Sequence, residues 1–219
     1  MTIPHWNKPH SGEYRWPVSA IVLVVISLQY LLPVQFSFEL KKTAAIVEFL
    51  LLVALVSSNP KRISKNHLPT RVIGFAMTST MTVLNTVSVV KLIDALINGG
   101  IKSSTALLTA GSSIWFCNIV IFSLWYWDLD RGGPGARAEA KNEFPDFLFP
   151  QMTDPAFAPT HWAPHFFDYL YISFTNASAF SPTDAMPLTR WAKTLMFMQS
   201  LTSLLVVGLV IARAVNILH

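Results

Sequence analysis

Cysteine is nearly absent: the chain has one, Cys117, set within an apolar run. A lone cysteine excludes an intrachain disulfide and any multi-cysteine metal site, and it reads as a small buried hydrophobe. Charge is scarce too. Only 13% of residues are charged, against roughly 25% in an ordinary globular chain. Gly-rich phosphate loops, a serine-nucleophile elbow and zinc-ligand spacings do not occur. No nucleophile–base pair is visible, so neither enzymatic activity, a cofactor nor a metal is expected. The net charge of +4 sits in loops, which leaves no basic face for nucleic acid and suits anchoring to anionic lipid. A cleavable signal peptide is not expected either. The first apolar run begins near Val18, after Lys8, Glu13 and Arg15, and Pro33 rather than a small-x-small site follows it.

What is abundant is apolar sequence. Hydrophobic residues make up 52% and mean hydropathy is +0.44. The charges cluster, leaving apolar runs long enough to cross a bilayer. The expected fold is an all-α, multi-pass protein of the cell membrane. About five transmembrane helices are read, at Pro17–Val34, Thr43–Ser58, Arg71–Leu96, Thr105–Trp127 and Ala192–Ile217. The organisation is a polar tail (1–16), a four-helix membrane region (17–127), a Pro-rich loop cap (128–165) and a final module (166–219). Arg131-Gly132-Gly133-Pro134-Gly135 is expected to be a flexible turn.

Three charged residues inside these runs are candidate intramembrane polar groups. Glu48 lies one turn into the second, where it either snorkels to the interface or is a buried functional group. Lys91 and Asp94 are spaced to pair on one helix face. The third run also carries Thr78, Ser79, Thr80, Thr82, Asn85, Thr86 and Ser88, expected to face other helices or a wet cavity rather than lipid. His161, His165 and Asp168 are ligand types, but Pro164 breaks the helical spacing between the histidines. Asp168 therefore reads as a helix cap.

The stretch before the last span is the most informative. Phe166–Thr175 is apolar and aromatic but too short to span, and it breaks into Ser178, Ser181, Pro182, Thr183 and Asp184. Irregular backbone at membrane depth is tolerated only when buried in protein or lining a wet cavity. Hydroxyls and carbonyls there can replace the hydration shell of an ion.

At these residues the chain resembles the pore module of the potassium-channel superfamily: outer helix, pore helix, T-x-G-Y-G-D filter, P-x-T link, inner helix. Tyr171, Ser173 and Phe174 sit where the pore helix often has Y-x-S-F. Ser178 to Asp184 occupies the filter positions, with Asp184 at the closing acid. Pro187 and Thr189 match the link, and Arg190 to Asn216 the inner helix. The spacing is also similar to that of uncharacterised bacterial multi-span proteins. The resemblance implies a homo-oligomer in the lipid bilayer, on the pattern of a tetramer. Its ion pathway would be Asn176, Ser178, Ser181, Thr183 and Asp184, with monovalent cations as the permeant species.

Two features depart from that family. Ser181 and Thr183 replace both filter glycines and Pro182 the tyrosine, so a potassium-selective carbonyl ladder is not expected and selectivity should be low. Charge also runs the other way. With five spans, Lys8, Arg15, Lys61, Arg62, Lys65, Arg71, Arg131, Arg137, Lys141, Arg190 and Lys193 share one side. Lys41, Lys42, Lys102 and Arg213 hold the other. The positive-inside rule then makes the loop enter from the cytoplasm. The alternative to a channel is a non-conducting membrane protein that keeps the pore-module fold for assembly or sensing.

Overall fold

The computed structural model describes residues 5–98, 103–142, 144–154, 156, 159, 162–179 and 184–218. Among them are eight α-helices: α1 (Trp16–Leu31), α2 (Lys41–Ser58), α3 (Leu68–Ile97), α4 (Ser104–Leu129), α5 (Pro134–Ala138), α6 (Pro150–Thr153), α7 (Phe166–Ala179) and α8 (Arg190–Leu218). Two strand pairs staple the loops. β1 (Glu13–Tyr14) is antiparallel to β2 (Arg62–Ile63), and β3 (Phe147–Leu148) to β4 (Met186–Pro187).

The helix limits follow local chemistry. Pro17 and Pro69 occupy first-turn positions of α1 and α3, where a missing N–H costs nothing. Ser103 caps α4 by accepting from the Ala106 amide at 3.3 Å. Asp168 caps α7, taking the His165 amide at 2.7 Å. α2 ends at Asn59-Pro60. Hydroxyls within α3 fold back on their own helix. Thr80 donates to the Ala76 carbonyl at 2.9 Å and Thr86 to that of Thr82 at 2.8 Å. Thr86 is exposed on the helix surface, contrary to expectation, and Thr80 half-buried, because a back-bonded hydroxyl tolerates an apolar medium. Thr78, Asn85 and Ser88 do face inward.

α4 is the central helix, touching α1, α3, α7 and α8. One apolar core joins Val22, Met81, Val120, Ile121 and Tyr169; a second joins Phe36, Leu92, Leu107, Ile114 and Val210. The outer faces are apolar as well: Phe49 and Leu50 on α2, Val83 and Val90 on α3, Phe197 and Leu204 on α8 are exposed. A bundle apolar both inside and out suits a lipid surround. Three helices are long and apolar enough to cross a membrane: Leu68–Ile97, Thr105–Gly132 and Arg190–Val215. α1 is apolar but only 16 residues long.

Two sequence expectations need correcting. Of the segment read as a polar tail, the described part packs against the rest of the chain: Trp6, Asn7, Glu13 and Arg15 are buried. The turn expected to be flexible is packed inward, with Arg131, Gly133, Pro134 and Gly135 buried and Gly132 half-buried. Gly133 holds a φ of 94°, and a Cβ there would stand 2.9 Å from the Asp128 carbonyl oxygen, so only glycine fits without strain.

Candidate functional site

The site is built on the path of α7. Phe166 begins it beside Trp127 at the end of α4, with ring centroids 5.9 Å apart. Ser173 then lies against Ile119, donating to its carbonyl at 2.6 Å. The helix thus runs back along α4 toward the bundle middle. Its contacts with α8 advance in parallel: Ser173 meets Gln199, and Ala177 accepts from Ser203 at 2.6 Å. Beyond the next residues the chain has returned. Pro187 pairs with Phe147, the Leu188 amide donates to the Asp146 carbonyl at 2.8 Å, and Trp191 Nε1 donates to Asp146 Oδ1 at 2.9 Å. The hairpin enters and leaves the bundle at one end.

Of the expected pathway residues, Ser181 and Thr183 lie outside the described residues. Asn176 is buried and committed to α8. Its Nδ2 donates to the Met196 carbonyl at 3.0 Å and to Gln199 Oε1 at 2.8 Å, and its Oδ1 accepts from Ser200 at 3.1 Å. Ser178 is exposed and donates to its own helix at Phe174. Asp184 lines an open cavity of about 330 Å³ with Asp168 and Tyr171. Asn176 and Asp184 therefore serve different surfaces rather than one.

Sequence reasoning missed Gln199, the residue around which this polar layer closes. Its Nε2 donates to the Ser173 carbonyl at 3.0 Å and to Ser173 Oγ at 2.6 Å; its Oε1 accepts from Tyr126 at 2.6 Å. The available signal was a patch of polar side chains, Gln199, Ser200, Thr202 and Ser203, within a largely apolar run.

The intramembrane charges also resolve. Lys91 and Asp94 do not pair: Lys91 Nζ donates across to the Ser37 carbonyl at 2.8 Å, and Asp94 accepts from Asn98 at 2.8 Å. Glu48 does not snorkel. It is 1% exposed, and neither carboxylate oxygen has a partner among the described residues. It lines a small void with Gln29, Lys41 and Ser88.

An ionic cluster holds the hairpin's entrance. Glu13 Oε1 pairs with Arg137 Nη2 at 2.8 Å, with side chains 3% and 1% exposed. Glu13 Oε2 accepts Trp127 Nε1 at 2.7 Å and the Phe166 amide at 3.1 Å. Arg137 Nη1 donates to the Trp127 and Asp130 carbonyls at 2.7 and 2.9 Å. The Tyr169 hydroxyl donates to Asp130 Oδ2 at 2.5 Å, while Asp130 Oδ1 takes the Asp146 amide at 2.9 Å. Arg131 binds Asn7 and the Asn142 carbonyl. Burial works to lower the Arg137 pKa, but the surrounding Tyr169, Glu13 and Asp130 hold it above the ordinary arginine value. Among the described residues no metal-ligating group of three or more His, Cys, Asp or Glu occurs.

Fold and site together define an all-α protein with three helices long and apolar enough to cross a membrane and a 14-residue helix, α7, packed against α4 and α8. No family model, curated protein or solved structure matches the chain.

Proposed function

We propose that this chain is a pore-loop membrane protein in which 166–189 is a re-entrant loop and α1, α2, α3, α4 and α8 are the spans. Assembled as a homo-oligomer, it passes monovalent cations with low selectivity. The observation carrying this reading is that α7 advances in parallel with α8 and the chain then returns to its starting end. A helix of 14 residues reaches about 21 Å, short of a hydrocarbon core of about 30 Å. Asp168 and Asp184 beside the hairpin would concentrate cations at its mouth. By the positive-inside rule that mouth is cytoplasmic.

A second reading has its own support. Ser173 and Asn176 spend their polar groups on Gln199, Ile119 and Ser200, which suits a non-conducting scaffold for assembly or sensing. Flux into liposomes separates the two. Conduction predicts comparable potassium and sodium flux, reduced severalfold by Asp184→Asn and altered by Ser178→Ala. Reconstituted oligomers without flux, or flux indifferent to both changes, leave the scaffold reading.

A further inference from the structure

A separate constellation lies away from the hairpin and is independent of whether the loop conducts. Between the start of α1, the end of α2, the first turns of α3 and the 132–135 turn is a cavity of about 60 Å³. Arg15, Lys65 and Arg71 line it against one carboxylate, Asp128. Val18, Leu52, Leu55, Met77 and Leu124 give it an apolar wall. Gly135 closes one edge: a Cβ there would stand 2.5 Å from the Lys65 carbonyl oxygen, so the turn lies directly on the Lys65 backbone.

In the ionic cluster Arg137 has an unpartnered Nε, but its Nη atoms are bonded to Glu13 and to two carbonyls; among the described residues neither Arg15 nor Arg71 makes a side-chain hydrogen bond. Arg15 is 6% exposed, and its buried Nε has no acceptor among the described residues. Arg71 Nε is likewise buried without an acceptor, the group resting 5.2 Å from the Phe75 ring centroid. Burial lowers the Arg15 pKa, opposed by Asp128. A buried cation with unmade hydrogen bonds is strongly disfavoured unless an anion completes it. The planar fork of arginine matches phosphate oxygens in particular.

We infer that this cavity binds the phosphate group of an anionic phospholipid. Arg15 and Arg71 donate to the phosphate oxygens, Lys65 adds charge at the rim, and the apolar wall takes the first part of the acyl region. The small volume favours a bare phosphomonoester head over a bulky one. Lipid and free phosphate share this chemistry, so the test must distinguish them.

The full chain, purified in detergent, is titrated with dioleoylphosphatidic acid, dioleoylphosphatidylcholine, dioleoylglycerol and inorganic phosphate. Retention is read by native mass spectrometry, and affinity by the shift in unfolding temperature. Phosphatidic acid should be retained selectively. Arg71→Gln should weaken it about tenfold, the loss of a charge-assisted contact; this change is preferred because Arg15 is too buried to separate binding from folding. Lys193→Gln, which removes an exposed lysine outside the cavity, should leave binding unchanged. Inorganic phosphate binding as tightly as the lipid would overturn the lipid assignment. Equal retention of all three lipids, or no effect of Arg71→Gln, would overturn the site.

Discussion

The polar network at the capped end of the bundle and the one between α4, α7 and α8 are both buried, yet they use different chemistry. The first is ionic: Glu13 is met by Arg137, Asp130 by the Tyr169 hydroxyl and backbone amides, and Asp146 by the Arg131 amide and Trp191. The second is neutral: Tyr126, Ser173, Asn176, Gln199, Ser200 and Ser203 satisfy one another with no formal charge. Desolvating a charge costs far more than desolvating an amide. Full charges are therefore kept where the loops can surround them with donors and counter-ions. Amides and hydroxyls serve deeper, where α7 must be held without lipid-facing polar groups. Glu48 breaks this division, since it is a carboxyl among helices with no partner among the described residues.

The comparison can be broken most severely at Arg137. Arg137→Met strands Glu13 and two carbonyls, and should cost about 3–5 kcal/mol in unfolding followed in detergent. The double change with Glu13→Gln should cost less than the sum of the single changes. An additive result would mean that the cluster does not act as a unit. Gln199→Leu removes the shared acceptor of Tyr126 and Asn176 and the donor to Ser173. A loss of about 2 kcal/mol is expected, together with greater protease access to α7. A neutral outcome there would mean that apolar packing alone seats the hairpin. Glu48→Gln should act in the opposite direction and most weakly. A neutral amide is easier to bury than a carboxylate, so a gain of about 1 kcal/mol is expected. A loss of stability would show instead that the carboxyl holds a partner beyond this chain.

Much of the fold was legible in the sequence. Apolar run length gave the helical membrane class, and Pro17, Asn59-Pro60 and Asp168 marked helix limits, because these effects act within one helical turn. A short helix from Phe166 also showed directly, although it runs on to Ala179 and takes in Ser178, and residues 180–183 lie outside the described residues. The polar assignments travelled less well. Lys91 and Asp94 have a spacing that permits a pair, but spacing does not exclude the nearer Ser37 carbonyl or Asn98. Asn176 read as a pathway residue because its exposure depends on which face of α7 meets α8, and one-dimensional periodicity leaves that open.

The sequence by itself determined that these segments must be helical and apolar outward. A chain with few charges and long apolar runs can satisfy its backbone in lipid only by internal hydrogen bonds. Only the tertiary structure decided which polar groups meet. Glu13 finds Arg137, Gln199 finds Ser173, and Arg15 and Arg71 are left facing one cavity. Each pairing joins groups distant in the chain and is selected by the packing of whole helices, a choice that no local propensity encodes.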